Sequence, residues 1–171
     1  ICLDSEAVVQ DCEVTNNRST GIAVHTGGRP SISGCDIHHN QGNGVYTSDH
    51  AQGIVTGCDI HHNGRGQVSL CGSSATIFRA NKIFSGEDAG VVVYDSGRGV
   101  VEENDIYDNE LAGVEIKTAG QPLVRSNAIH DNKQYGVLVF DEGGGVLSHN
   151  DIYANNDAGV AVKGNGHPEL H

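Results

Sequence analysis

The chain of 171 residues carries 24 glycines, no Met and no Trp, and its apolar residues are mainly Val and Ile, a composition that disfavours long helices and suits short strands joined by tight turns. Ten Lys and Arg against 22 Asp and Glu leave a formal net charge of −12, so the chain offers no basic surface for nucleic acid or an anionic membrane. No run approaches the roughly 18 apolar residues of a membrane helix. The five cysteines are odd in number and lack a C-x-x-C, which indicates neither a disulfide framework nor a zinc ribbon. Reduced thiols in an intracellular protein, cytoplasmic or nuclear, are therefore expected.

From the N-terminus, the first apolar position of a regular pattern is Val9, which recurs as Ile32, Val55, Phe78, Val101, Val124 and Leu147. Val14 follows and recurs as Ile37, Ile60, Ile83, Ile106, Ile129 and Ile152. After Gly21 comes a third set, Ile22, Val45, Val68, Val91, Val114, Val137 and Val160. Two residues later stand Val24, Thr47, Leu70, Val93, Ile116, Val139 and Val162. The position between is mixed (Ala23, Tyr46, Ser69, Val92, Glu115, Leu138, Ala161), the alternation of a strand with one buried face. The period is 23 residues throughout, without insertion or deletion.

Three short strands cannot bury their apolar sides alone, but identical units stacked about 4.8 Å apart share one continuous core. The pattern predicts an all-β, right-handed parallel β-helix: a single-stranded solenoid with three short strands per 23-residue coil and about seven coils. One domain over residues 1–171 is expected, and because the chain opens on Ile1 partway through a repeat and stops at His171 in mid-coil, it reads as a piece of a longer protein. A leucine-rich horseshoe has one strand per repeat and a propeller needs a longer period.

Two asparagine columns support the stacking. Asn17, Asn40, Asn63, Asn109, Asn132 and Asn155 share one, broken at Gly86. Asn81, Asn104, Asn127 and Asn150 share another, preceded by Cys12, Cys35 and Cys58. Stacked amides can bond the coils on either side, so these are expected to be structural ladders.

The phrases GRGVVEENDIYDNELAGVEIKT, QPLVRSNAIHDN and AGVAVKGNGHPEL, with alternating Gly-rich and Pro-containing turns, resemble the β-helical repeats of F-box proteins, the substrate receptors of SCF ubiquitin ligases. The same repeat occurs in the wider class of carbohydrate-binding and sugar-hydrolase β-helices. The resemblance implies a β-helix that recognises a protein partner.

Asp36 and Asp59 share a column with Asp105 and Asp151, and Asp108 stacks with Asp131, yet no basic groove accompanies them, and surface charge accounts for them. His38, His39, His61 and His62 fall side by side in adjacent coils and are weak candidates for a metal; an outward ring column with Phe84, Tyr107, His130 and Tyr153 is the simpler account, and no metal or other cofactor is expected. On the outward side of the Gly-led strands, Tyr94, Lys117, Phe140 and Lys163 alternate beside Leu138, a row suited to partner contact. The chain is therefore expected to be a non-catalytic recognition or scaffold β-helix with a protein partner. A polysaccharide-acting or sugar-binding β-helix is the first alternative, and a structural component of a large assembly the second.

Overall fold

The structure, a computed structural model, describes residues 6–171, so Cys2 lies outside the described residues. Among these are 22 strands of two or three residues and no helix. They sort into three parallel sheets. The first sheet holds seven strands, from Ile22–Val24 through Val91–Val93 to Val160–Val162. The second holds eight, from Val8–Gln10 to Glu169–Leu170, and the third seven, from Glu13–Thr15 to Asp151–Tyr153. Each strand pairs in parallel with its counterpart 23 residues on, as Val91↔Val114, Phe78↔Val101 and Ile83↔Ile106 show for the three sheets. This is the three-strand coil that the apolar periodicity predicts.

Side chains alternate across a strand, so the central residue of the second and third sheets and the outer two of the first point into a common interior. Ile32, Ile37, Ile60, Phe78, Ile83, Ile106, Ile116 and Ile129 are fully buried there in one continuous cluster. The chain leaves the third sheet through single left-handed residues, among them His39, His62, Ser85, Asp108 and Asp131, each at φ between 50° and 53°, and turns from the first sheet to the second through consecutive pairs such as Asp95 and Ser96. The residue after each bend that leaves the third sheet is a ladder asparagine except Gly86, and a second ladder follows the bends between the second and third sheets. Asn104 Oδ1 accepts from both the backbone N–H and the side-chain amide of Asn81 at 3.0 Å, and Asn81 Nδ2 donates onward to Val55 O at 3.0 Å. The amide oxygens of these ladders satisfy turn N–H groups, such as those of Asn81 and Asn104, that would otherwise be buried without partners.

Two departures from the repeat compensate each other. Gly86 leaves a gap in one ladder, and Gln67 occupies the position that is glycine in the other coils. The Gln67 side chain fills the gap: its Oε1 accepts from Asn63 N at 3.2 Å and Asn63 Nδ2 at 2.7 Å, while its Nε2 donates to the carbonyls of Asn63 and Arg65 at 3.2 Å.

Candidate functional site

Of the predicted contact row on the first sheet, Tyr94, Lys117, Leu138 and Phe140 are half-buried and Lys163 is exposed. The turn that precedes each strand folds over the outward face, and Ala89, Val92 and Ala112 form a small second core against Tyr94, Leu111, Tyr135 and Leu138. Both lysines of the row are engaged. Lys117 Nζ lies 2.6 Å from Glu115 Oε1 and 5.8 Å from the centre of the Phe140 ring. Lys163 Nζ bonds the Tyr135 hydroxyl at 2.9 Å and lies 4.5 Å from its ring centre.

Toward the N-terminus the same face opens into a groove. A depression of about 480 Å³ is lined by His25, Asn43, Tyr46, Arg65 and Tyr94, among others. Asn43, Arg65 and Tyr94 also line a second of about 220 Å³ that reaches Asp88 and Lys117. Asn43 and Arg65 line a third of about 210 Å³ that reaches Arg18. The exposed Arg65 thus stands at the junction of three depressions, and among the described residues neither it nor Arg18 has an ion-pair partner.

The polar groups of the groove are ordered by their neighbours. Ser48 Oγ donates to Asp49 Oδ2 at 3.1 Å, so it must accept from His25 Nδ1, 2.7 Å away. That arrangement places the His25 proton on Nδ1 and leaves a lone pair on Nε2. The His25 ring centre lies 5.5 Å from that of Tyr46. The Cys71 thiol and the Tyr46 hydroxyl lie 3.1 Å apart; this contact, then burial, raises the Tyr46 pKa, so the phenol is neutral at pH 7. Burial, followed by Cys71, raises Tyr94 as well. The groove therefore presents a base, a neutral phenolic acid and a free guanidinium side by side.

His25, Tyr46 and Arg65 were missed as functional residues by sequence reasoning. The signal was present for two of them: His25 shares the column of Tyr94 and Lys117, and Tyr46 the column of Leu138, so tracing those columns toward the N-terminus reaches both. Arg65 has no such signal, because it sits in the turn that folds over the face.

The remaining candidates lie elsewhere. His38, His61, Phe84, Tyr107, His130 and Tyr153 form an unbroken stack on the third sheet, with neighbouring ring centres 4.7 to 5.3 Å apart. Asp36 accepts from His61 Nε2 at 3.0 Å and Asp105 from His130 Nε2 at 2.9 Å, so part of the carboxylate column supports this stack. Among the described residues no three His, Cys, Asp or Glu side chains converge as a metal cage. Cys35 and Cys58 are buried rungs of the ladder as expected, with burial pushing the Cys58 thiol up to about 11, whereas Cys12 is exposed in the first coil.

The profile of the family described as "Right handed beta helix region" matches residues 1–98 and 30–171. No characterised protein matches in sequence. Among solved structures, two variants of the periplasmic alginate epimerase AlgG align over 96% of this chain and 50% and 49% of their own, at 12% identity with TM-scores of 0.74 and 0.77. The Azotobacter vinelandii mannuronan C-5 epimerase AlgE4 A-module aligns over 99% of this chain and 56% of its own, at 16% identity and a TM-score of 0.59. Pectate lyase Pel9A aligns over 91% and 51%, at 15% identity and a TM-score of 0.53. The chain spans about half the length of these structures, and at such identities the likeness concerns the fold.

Two expectations change. These matches support the right-handed β-helix fold that the wider class shares, and nothing among them supports the F-box resemblance. The intracellular location is overturned by the likeness to periplasmic enzymes. It rested on cysteine parity, which carries no such information here, because Cys35, Cys58 and Cys71 are free thiols buried by packing whatever the compartment. With the profile matching from end to end and 23-residue coils in three parallel sheets, the chain belongs to the right-handed β-helix family.

Proposed function

We propose that the protein binds and acts on an acidic polysaccharide laid along the groove of the first sheet. The observation that carries this reading is Arg65, an unpaired guanidinium beside His25 and Tyr46 in a groove that crosses successive coils. The similar structures support it by kind, since alginate, mannuronan and pectate are all polymers of uronic acids.

The chemistry follows from the groups present. Arg65 neutralises a uronate carboxylate and so acidifies the proton on the adjacent ring carbon. His25 Nε2 removes that proton, breaking the C–H bond and leaving the electron pair delocalised into the carboxylate. Delivery of the Tyr46 hydroxyl proton to the opposite face inverts the centre, and proton exchange with solvent resets His25 and Tyr46. Alternatively, the electron pair expels the neighbouring glycosidic oxygen, which takes its proton from Tyr46, and an unsaturated uronate results. The protein-recognition reading uses the same face, but Lys117 and Lys163 are already engaged by Glu115 and Tyr135, and no feature there favours a protein partner.

The test is retention on, and turnover of, alginate, polymannuronate and pectate, followed by ultraviolet absorbance of the unsaturated product and by proton NMR of inverted residues. His25→Ala and Tyr46→Phe should abolish turnover with binding retained, Arg65→Ala should weaken binding at least tenfold, and Asp36→Asn with Asp59→Asn should change neither. Failure of the protein to retain any of the three polymers, or unchanged binding by Arg65→Ala, refutes the proposal.

A further inference from the structure

The two Ile-His-His-Asn turns lie on the third sheet, and the cavity at His39 and His62 adjoins the third depression of the groove at Gln41. In an extended strand His38 and His39 would point to opposite faces, but His39 is at φ 53° and His62 at φ 52°, and this left-handed bend swings each second ring round to the first. Both coils give the same result: Nδ1 of His38 lies 2.7 Å from Nδ1 of His39, and Nδ1 of His61 lies 2.7 Å from Nδ1 of His62. The repeat then stacks the pairs, with His38 and His61 ring centres 5.0 Å apart and those of His39 and His62 5.1 Å apart.

Carboxylates hold the half-buried rings from behind. His38 Nε2 reaches Glu13 Oε1 at 3.2 Å and His61 Nε2 reaches Asp36 Oδ1 at 3.0 Å. An ionised carboxylate only accepts, so both protons sit on Nε2 and each Nδ1 turns a lone pair toward the neighbouring ring. A carboxylate on the far nitrogen is how metal-ligating imidazoles are commonly oriented. The Thr15 hydroxyl, 3.1 Å from His38 Nδ1, and the Nδ1–H groups of His39 and His62, which donate across the 2.7 Å contacts, are competing donors; an ion displaces the first, and the two ring protons move to Nε2.

The geometry points to a transition-metal chelate in which His38 with His39, and His61 with His62, each offer two Nδ1 ligands to a tetragonal copper(II) or nickel(II) ion. Nitrogens 2.7 Å apart, each about 2.0 to 2.1 Å from one ion, subtend about 80 to 85°, near the right angle of a tetragonal site. A tetrahedral zinc angle requires them about 3.3 Å apart. The exposed rings of His39 and His62 leave the other coordination positions to solvent, and both line a cavity of about 360 Å³ whose wall includes Glu87. Two dications held by pairs stacked at 5.0 to 5.1 Å repel each other, so the first binding step saturates at one ion per chain.

The experiment is calorimetric titration of the untagged protein with copper(II), nickel(II) and zinc(II), beside electron paramagnetic resonance of the copper form. Expected are one copper in the first step, an axial signal with two imidazole nitrogens, and tighter binding of nickel than of zinc. Either single change, His39→Ala or His62→Ala, leaves one pair intact and should alter affinity about twofold. The double change should weaken copper and nickel binding at least tenfold, with the strand spectrum in circular dichroism unchanged. Copper affinity undiminished in the double variant overturns the proposal, as the metal then sits on scattered histidines such as His50 and His167. Zinc bound more tightly than nickel overturns the tetragonal geometry.

Discussion

Replacing Gln67 by Gly should destabilise the protein, replacing Gly86 by Asn should also destabilise it, and making both changes together should restore it. In the first variant two buried donors, the backbone N–H and the side-chain amide of Asn63, lose the acceptor they now meet at 3.2 and 2.7 Å. A buried donor without a partner costs about 1 to 3 kcal/mol. Asn63 Nδ2 keeps its bonds to the carbonyls of Ile37 and His61 at 3.1 and 3.0 Å, so the loss should total about 3 kcal/mol. In the second variant a Cβ on residue 86 meets Gln67 Nε2 at 2.3 Å and Cδ at 2.9 Å, an overpacking that costs about 1 to 3 kcal/mol. The double variant recreates the glycine and asparagine of the neighbouring rows and continues the ladder from Asn63 to Asn109. Its stability should return to within about 1 kcal/mol of the parent, a coupling of at least 3 kcal/mol in magnitude. Urea unfolding of the four proteins, followed by circular dichroism, measures this cycle. Additive losses, with the double variant less stable than either single one, would show that Gln67 does not act as the missing rung.

Three further predictions concern stability and titration. Glu102 is buried on the second sheet between Arg79 and Arg125; burial pushes its carboxyl up, but the two guanidiniums outweigh this and hold it below the ordinary value. Its stabilisation is therefore present above the unfolded-state pKa and lost as pH falls through the folded one; Glu102→Gln should cost about 1 to 2 kcal/mol at pH 7, at the low end because both arginines are exposed, and should flatten the acid limb of a stability–pH curve. His130 has the opposite sign: burial lowers it, yet its bonds to Asp131 at 2.7 Å and Asp105 at 2.9 Å raise it overall. The stability it contributes is present below its unfolded pKa and disappears as pH rises through the folded one, and NMR titration of Asp131→Asn should find the imidazole ionising at lower pH than in the parent. Ile106→Asp, which places a carboxylate where the parent side chain is fully buried between coils, should cost more than about 4 kcal/mol and abolish the strand spectrum at room temperature; a folded variant would contradict the assignment of the core.

The sequence alone determined the coil. A side chain's direction in a short strand follows from its own backbone, and a 23-residue period without gaps leaves one way to stack identical directions, so Val9, Val14, Ile22 and their repeats were readable as inward columns. The ladders were legible for the same reason, as were the neighbouring histidines of the two Ile-His-His-Asn turns. Other relations were set only by the tertiary structure, because they join different columns, and column spacing does not say how far a turn leans over the adjacent sheet. Both Gln67 and Gly86 were visible as exceptions, but only the folded chain places one side chain in the gap left by the other. Likewise, the Tyr94 and Phe140 row looked exposed until the turns carrying Leu111 and Tyr135 proved to pack on that face. Arg65 reaches the groove of His25 and Tyr46 from such a turn, and its place there depends on the path of the backbone between sheets, which no residue pattern records.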